Sequence, residues 1–486
     1  MSLHAGTIAR SEDSVAEMET PTSQTGTSLG PRGRILLAAY HFPPSAAVGG
    51  LRMARFAKFL PEFGWSPYVL TVLDEDRDLE QGTDITRLTG LERVPIRRTH
   101  SRAGRISALY RMLKSRLRGS ETRRNADLAA PKYTNHRAVD ESLLSRFKRY
   151  VGSIFLMLPD EQKGWAVSSA LTAVRLVRSQ RIDWILTSGP PFSVHLIGLV
   201  VRTFTRTKWV ADFRDPWVEM LPERSNHLRS ALSDTIERRM EAVVIRRADK
   251  VLMTNERARQ SVAARYSHMP DSKFVCLPNG IDLRQAVRRE APDRHAPLTI
   301  TYAGTLYFER TPEPLFQAFS ELVQEGRARL TDFRIKLVGN CDYIRGVRTH
   351  ELARRFGIEE AVEVLRWLPR AEAVSLMQRS HLLLVLAPPN HRLMLPAKLF
   401  DYVGSGTPVL AIAEPGPTTD FVRETKCGQC FAQTEMRELK EYLHDLLQTG
   451  GYSDLRYDLD AFARYDARSL SGQLASVLSG QMQTNQ

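Results

Sequence analysis

Short runs of apolar residues alternate along this chain with longer stretches in which apolar residues recur every three or four positions. An apolar run at 35–40 precedes a loop with two prolines and two glycines, a helical pattern at 51–63 and a second apolar run at 65–73. Continuous apolar runs indicate buried strands, and the three-to-four spacing indicates a helix. This order predicts a parallel βαβ unit whose loop lies at the carboxyl edge of the sheet.

The same alternation continues through the rest of the chain and restarts once. Further strands are predicted at 184–187, 208–211, 250–254 and 274–277, with helical patterns between them such as 230–247. After a polar linker around 288–297, five more strands are predicted at 298–303, 333–338, 362–365, 381–386 and 409–412. The sequence therefore predicts an α/β fold with two Rossmann-like doubly wound parallel-sheet domains, which face a central cleft.

These patterns divide the chain of 486 residues into four parts. Residues 1–32 are rich in Ser, Thr, Glu and Gly without apolar periodicity, which predicts a disordered tail. We expect an N-terminal domain at 33–290, with a basic insert at about 100–160, and a C-terminal domain at 291–450. The helices predicted at 451–486 are expected to pack back on the N-terminal domain.

The composition, with 42% hydrophobic and 25% charged residues, is that of an ordinary globular protein. The chain has no apolar run long enough to span a membrane and no secretory signal at its start, so we expect a cytoplasmic protein. The four cysteines are too few for a disulfide scaffold. Cys427 and Cys430 have the spacing of a metal or redox pair, but no second pair completes a zinc site, so we expect incidental or structural thiols.

The net charge of +13 is concentrated in one segment. Residues 101–150 contain thirteen Lys or Arg against four Asp or Glu, and residues 142–158 place Leu143, Phe147 and Ile154 on one helical face. This combination predicts an amphipathic helix that binds an anionic membrane surface; the alternative is an insert packed on the N-terminal domain. No nucleic-acid-binding motif accompanies the charge, so we expect no nucleic acid partner.

The segment 396–411 carries residues that suit a nucleoside diphosphate. Lys398 can meet a phosphate and Asp401 can accept hydrogen bonds from a ribose diol, and the two share a helical face because they are three positions apart. Gly404 and Gly406 are expected to end this helix before the next buried strand. The alternative is an ordinary helix with two solvated charges.

A charged turn follows the strand predicted at 208–211. Asp212, Arg214 and Asp215 lie there at the carboxyl edge of the sheet, where charges are costly unless they are paired or functional. We expect a catalytic role for this turn, and the alternative is a structural Arg–Asp pair. The acidic triplet at 74–76 superficially offers a metal-binding pattern, but we expect a solvated loop and no metal.

Together these motifs resemble glycosyltransferase family 4, the retaining nucleotide-sugar glycosyltransferases with the GT-B fold of two facing Rossmann-like domains. The resemblance runs from about residue 34 to the C-terminus and rests on motifs in matching order, which are the Phe42-Pro-Pro loop with Gly49 and Gly50, the segments 277–282 and 302–306, and the segment 396–411. It implies that the N-terminal domain holds the acceptor, with Gly49, Gly50 and Arg52 lining the cleft. It also implies that the turn with Arg214 and Asp215 lies near the reacting sugar carbon.

The resemblance further implies the residues that bind the donor. Arg310 falls where the family carries a phosphate-binding lysine, and Asp401 falls where the second glutamate of the Glu-x7-Glu motif holds the ribose. Gly304 belongs to the first turn of the donor domain, and Lys398 supplies a second cation. Trp367 lies in the loop that resembles the cradle of the nucleobase; the alternative is a core tryptophan.

Two positions depart from the family pattern. Thr305 replaces an arginine, and Leu393 replaces the first glutamate, which contacts the donor sugar. The implied reaction is transfer of a sugar from a nucleoside-diphosphate donor to an acceptor, with retention and without a cofactor. We expect a lipid-linked acceptor in surface-polysaccharide assembly, at the inner face of the cell membrane. The alternatives are a non-catalytic assembly scaffold, which the two departures favour, and a nucleotide-sugar epimerase of the same fold.

Overall fold

The structure is a computed structural model with two α/β domains, each built on its own parallel sheet. It describes residues 32–76, 82–101, 158–219, 221, 231–286, 289, 292–293, 296–306, 309–451, 457 and 459–481. The predicted tail, apart from residue 32, and nearly all of the predicted basic insert with its amphipathic helix lie outside the described residues.

The N-terminal sheet has seven parallel strands in the order β3-β2-β1-β4-β5-β6-β7. The strands are β1 (Gly33–Ala38), β2 (Trp65–Val72), β3 (Ile96–Thr99), β4 (Trp184–Gly189), β5 (Lys208–Phe213), β6 (Lys250–Met253) and β7 (Phe274–Cys276). The chain moves outward from β1 to β3 and then returns to β4 beside β1. Ligands bind at such a switch point, outside the carboxyl ends of the strands.

Helices cover both faces of this sheet. They are α1 (Leu51–Phe59), α2 (Lys163–Ser179), α3 (Val194–Phe204), α4 (Ala231–Arg247) and α5 (Glu256–Arg265). Successive side chains of a strand point to opposite faces, so Leu36 packs with α2, α3 and α4 while Leu37 packs with α1. The core under α2, α3 and α4 contains the buried rings of Trp165, Trp209 and Trp217.

The C-terminal sheet has six parallel strands in the order β12-β9-β8-β13-β14-β15. The strands and the small antiparallel hairpin β10-β11 are β8 (Leu298–Ala303), β9 (Phe333–Val338), β10 (Tyr343–Ile344), β11 (Val347–Arg348), β12 (Val362–Leu365), β13 (Leu382–Ala387), β14 (Val409–Ala413) and β15 (Gly428–Phe431). The helices are α6 (Glu313–Gln324), α7 (Thr349–Arg355), α8 (Arg370–Arg379), α9 (Lys398–Ser405), α10 (Pro417–Thr425) and α11 (Met436–Thr449).

The last helix, α12 (Ala467–Ser479), lies on the N-terminal domain. Its side chains Leu470, Leu474 and Leu478 belong to the same core as α1 and β1. A backbone bond of 2.9 Å from the Ile281 N–H to the Tyr465 carbonyl holds the two crossing segments together. The chain therefore passes between the domains twice, which ties the two sheets to each other.

The predicted α/β class with two parallel-sheet domains is confirmed. The predicted strands are present, with ends shifted by at most two residues. The sequence missed β3 and β15 because these short edge strands, Ile-Arg-Arg-Thr and Gly-Gln-Cys-Phe, contain no continuous apolar run. The helix expected at 51–63 ends at Phe59 and continues as a 3-10 turn, since Pro61 has no N–H for the next α-helical bond.

The end of α9 differs in one respect from the expectation. Gly406 ends the helix in the left-handed region, with φ 77°, as glycine does most easily. Gly404 lies inside the helix instead. A Cβ at this position would come within 2.6 Å of Ile281 Cδ1, so glycine here allows the segment between the domains to approach the helix closely.

Candidate active site

Loops that follow the carboxyl ends of both sheets meet across a cleft. Asn255, directly beyond β6, donates a hydrogen bond of 2.9 Å from Nδ2 to the carbonyl oxygen of Leu393, which lies beyond β13. Arg257 and Asp420 form a second link, with 2.9 Å between Nη2 and Oδ1. The two domains are thus in contact beyond the carboxyl ends of their sheets.

Lys398 is the most unusual charged group on the donor side of this cleft. Its ammonium nitrogen is buried and has no hydrogen-bond partner among the described residues. It lies 3.6 Å from the centre of the Tyr302 ring. Burial, and secondarily the nearby Arg310 guanidinium, hold the pKa of Lys398 well below its usual value. An anion that enters beside this amine would stabilise its charged form.

The turn after β8 supplies the surroundings of this lysine. Gly304 has φ 139°, and a Cβ there would come within 2.8 Å of Lys398 Nζ. Arg310 is also buried, and its Nε donates to Nδ1 of His391 at 3.4 Å. Two cations and the backbone of a glycine turn therefore converge at one place. The structure brings together Gly304, Arg310 and Lys398 as the sequence predicted; their role in donor binding stays a prediction.

Asp401 lies one turn further along α9, half-buried. It faces the N-terminal domain, where its negative charge acts on the guanidinium groups of Arg55 and Arg87. Burial is the main cause that lowers the pKa of Arg55, and the negative charge of Asp401 opposes this shift. Neither arginine was predicted, because the approach of α1, with Arg55, and of the turn Ile85–Leu88, with Arg87, to α9 depends on how the domains are placed. The role of Asp401 in holding the ribose stays a prediction.

Trp367 is exposed over 61% of its surface, in the loop after β12. It is therefore not the core tryptophan that was the alternative. Its ring faces Gly82 of the N-terminal domain, where a Cβ would lie 3.8 Å from Trp367 Cζ2. An exposed ring in a cleft loop can stack on a planar base, so the expected contact with a nucleobase stays a prediction that this position permits.

Asp212 and Arg52 form a buried ion pair in the N-terminal domain. Arg52 donates from Nε and Nη2 to the two carboxylate oxygens, both at 3.0 Å. Ser188 adds a bond of 2.8 Å to Asp212, and Arg52 also donates to the Leu277 carbonyl at 2.8 Å. Because each charge has its partners within the protein, the pair has the geometry of a group that positions the surrounding loops.

Arg214 holds the glycine loop against the turn after β5. It donates to the carbonyl oxygens of Gly49, Gly189 and Pro190. A Cβ at Gly49 would come within 2.5 Å of Arg214 Nη1, so a larger residue here would displace the guanidinium from its present position. Burial lowers the pKa of Arg214, and the negative charge of Asp215 is the largest effect that opposes this shift. Gly50 is buried at the start of α1, beside the Phe42 backbone.

Leu393 takes part in the contact between the domains. Its side chain packs against the aromatic core under α3, and its carbonyl accepts the bond from Asn255. The same Asn255 caps α5, because its Oδ1 accepts from the Ala258 N–H at 2.8 Å. The Thr254 hydroxyl next to it donates to the Arg214 carbonyl at 2.8 Å. The departure from the family pattern at Leu393 thus coincides with a contact between the two domains.

The described residues contain no group of three or more His, Cys, Asp or Glu that could hold a metal ion. In the acidic triplet, Asp74 pairs with Arg98 at 3.0 Å and Asp76 with His100 at 3.1 Å. The four cysteines are free thiols, and burial raises the pKa of Cys427 to about 11. In the part of the chain that the structure describes, no helix is long and apolar enough to cross a membrane.

Two family models match consecutive parts of the chain. Residues 124–285 match Glycosyltransferase Family 4, and residues 284–465 match Glycosyl transferases group 1. The fold and both matches define a glycosyltransferase with GT-B architecture. The chain belongs to glycosyltransferase family 4, as the sequence motifs indicated. No curated protein sequence matches it.

Solved structures agree with this fold. HepE of Anabaena, in complex with UDP-glucose, has a TM-score of 0.55 at 14% identity, over 92% of this chain and 100% of HepE. A sucrose-phosphate synthase of Thermosynechococcus elongatus has a TM-score of 0.55 at 14% identity, over 93% and 97% of the two chains. WaaG, a glycosyltransferase of lipopolysaccharide biosynthesis, has a TM-score of 0.50 at 14% identity, over 92% and 100%.

Proposed function

We propose that this glycosyltransferase moves a sugar from a nucleoside diphosphate to an acceptor, with retention of the anomeric configuration. The observation that carries the proposal is the buried ammonium of Lys398, which lacks a hydrogen-bond partner among the described residues and lies beside Arg310 and Gly304. A diphosphate is the anion that such a pair of cations suits. The donor complex of HepE is in keeping with this class of ligand.

In the proposed reaction, the bond between the sugar carbon and the diphosphate oxygen breaks, the acceptor oxygen bonds to the same carbon, and the acceptor's proton passes to the leaving diphosphate. Negative charge develops on the leaving diphosphate. Lys398 and Arg310 stabilise that charge in a site from which closure between the domains excludes water. Because side chains supply the positive charge, the proposed mechanism needs no metal or cofactor. Arg214 and Asp215 belong to the acceptor side of the cleft.

We further propose a lipid-linked acceptor in surface-polysaccharide assembly, reached from the cytoplasmic face of the membrane. Its support is the basic segment predicted at 101–158 and its attachment to the fold. The segment leaves after β3 and returns before α2, and the Ser168 hydroxyl donates to the His100 carbonyl at 2.7 Å. Both attachment points lie at the carboxyl edge of the N-terminal sheet, which also borders the cleft.

The test is a thermal-shift panel of nucleoside diphosphates and their sugars, followed by transfer of a labelled sugar to a lipid extract. A nucleotide that binds only the folded protein raises its stability by about 2.7 kcal/mol at a hundred times the dissociation constant. Labelled lipid is the expected product. If no nucleotide raises the melting temperature, the proposed donor site is contradicted. If nucleotides bind but no lipid is labelled, the proposed lipid-linked acceptor is contradicted.

A second candidate is a scaffold of the same fold without activity. Leu393 favours it, because this position packs on the N-terminal core and provides no carboxylate for the donor sugar. A scaffold would bind nucleotide without turnover. A full panel of donors incubated with membrane extract separates the two, since the proposed enzyme releases nucleoside diphosphate in proportion to labelled product.

A further inference from the structure

Exposed apolar side chains in this protein are concentrated on one helical layer. The described part of the chain has nine large apolar side chains that are exposed, and five of them lie on α2, α3 and α4. These five are Val167, Leu171, Phe204, Leu232 and Val243. We call the outward side of these three helices the outer helical face. Scattered exposed apolar residues are normal, but a concentration on adjacent helices marks an interaction site.

The positions repeat at helical spacing, so they form continuous stripes. Val167 and Leu171 are 64% and 61% exposed on successive turns of α2. On α3, the half-exposed Leu196 and Val200 lead to Phe204, which is 60% exposed. All three helices cover the same side of the sheet, so these stripes lie on one layer.

A cavity of about 240 Å³ lies between α3 and α4 on this layer. The side chains at its outer part are apolar, with Leu196 and Leu199 from α3 and Ile236, Met240 and Val243 from α4, while Arg239 lies beside them. An apolar cavity of roughly 150 Å³ is already large enough to take up benzene. The cavity therefore suits a hydrocarbon group, with one cation next to it.

Charge is also distributed unevenly on the outer helical face. The carboxylates of Glu237 and Glu241 on α4 point inward and are fully buried, with Trp217 and Tyr266 among their partners. Of the acidic residues on the three helices, Asp234 alone reaches the surface, and it does so partly. The exposed cations on these helices are Arg175, Arg178, Arg238, Arg239, Arg246 and Arg247. Apolar stripes with cations and few carboxylates suit an anionic lipid surface.

We propose that the outer helical face docks the protein on a bilayer that contains anionic lipids. Val167, Leu171 and Phe204 enter the interface, a hydrocarbon chain occupies the cavity, and Arg239 meets a headgroup phosphate. This surface lies on the N-terminal domain, whereas Lys398 of the candidate donor site belongs to α9 of the C-terminal domain. The bond between Ser168 and His100 joins α2 to the chain directly after β3.

The test is sedimentation of the full chain with vesicles of phosphatidylcholine alone and with added phosphatidylglycerol. The variant Val167→Ser, Leu171→Ser, Phe204→Ser should lower partition onto anionic vesicles at least tenfold, and Arg239→Glu with Arg246→Glu should do the same. The matched controls are Ile85→Ser, which is 73% exposed away from these helices, and Arg423→Glu with Arg437→Glu on the C-terminal domain. Both controls should bind like the original protein.

Nucleotide binding, measured in parallel, should be unchanged in every one of these variants, which separates this proposal from the donor site. The proposal is overturned if the original protein does not bind anionic vesicles, or if the triple serine variant binds them as well as Ile85→Ser does. It is also overturned if gel filtration shows a dimer that only the outer-face variants dissociate, since a second copy would then cover this surface.

Discussion

The two sides of the cleft differ in how their charges are satisfied. On the N-terminal side, Asp212 and Arg52 are buried and fully paired with each other and with backbone carbonyls. On the C-terminal side, Lys398 is buried with no hydrogen bond from a described residue. A paired group holds loops in place whether or not substrate is present. A buried amine whose charged form lacks a hydrogen bond costs stability until an anion binds beside it. This contrast supports the proposal that one side positions the loops and the other binds the donor.

The largest loss of stability should follow from removing the buried ion pair between Asp212 and Arg52 on the N-terminal side. Asp212→Ala leaves Arg52 buried without its carboxylate, which typically costs about 3–5 kcal/mol. We expect urea unfolding to show a loss of this size. Arg257→Ala removes an exposed ion pair and serves as the control, for which about 0–1 kcal/mol is expected. Equal losses in the two variants would contradict the positioning role of Asp212.

Asp215 should behave as a residue of the reaction rather than of binding or stability. Removing a charge near the reacting centre typically lowers turnover about a hundredfold, which is about 2.7 kcal/mol. We expect Asp215→Asn to lower kcat by this order while nucleotide affinity stays within about twofold. Steady-state kinetics and calorimetry measure the two. If the variant unfolds or keeps the full rate, the turn with Asp215 has the structural role that was the alternative.

Lys398→Met should make the protein more stable in the absence of nucleotide, by about 1–3 kcal/mol at neutral pH, since it removes a buried amine that has no hydrogen bond from a described residue. The folded state lowers the pKa of Lys398 by burial, so the folded protein releases this proton at lower pH than the unfolded chain. Raising the pH toward 10 therefore favours the folded state of the original protein, and the advantage of Lys398→Met should shrink. An advantage that is independent of pH would contradict the charged burial.

Asn255 provides the smallest and most selective test. Asn255→Asp keeps an oxygen that caps α5 but has no N–H for the Leu393 carbonyl, whereas Asn255→Ala loses both bonds. We expect the free energy of unfolding to fall by about 1 kcal/mol in the alanine variant and to stay unchanged in the aspartate variant. Both variants should lower kcat/KM severalfold if contact between the domains assembles the site. Full activity of Asn255→Asp would show that this bond has no part in the reaction.

The fold was largely predictable because buried parallel strands are continuous apolar runs, which the sequence shows directly. The edge strands β3 and β15 escaped because pairing on one side tolerates polar residues such as Arg97 and Gln429. On the donor side, Gly304, Arg310 and Lys398 were proposed from motif positions, and the structure brings them together. That Lys398 lies buried over Tyr302 depends on packing between β8 and α9, which no local pattern encodes.

Contacts between the domains could not be predicted. Leu393 and Asn255 are 138 positions apart, and Arg257 and Asp420 are 163 apart, so no periodicity relates them. The pairing of Arg52 with Asp212 was missed for the same reason, although the burial of the strand before Asp212 signalled that its charge needed a partner.

The most direct measurement for the central claim is calorimetric titration with the nucleoside diphosphate that gives the largest thermal shift. It compares the original protein, Lys398→Met and the control Arg437→Ala, whose arginine is exposed on α11. Charge-assisted bonds to a phosphate predict a loss of about 1.5–3 kcal/mol, about tenfold to a hundredfold in affinity, for Lys398→Met alone. Equal affinity in all three proteins would contradict the assignment of Lys398 to the donor diphosphate.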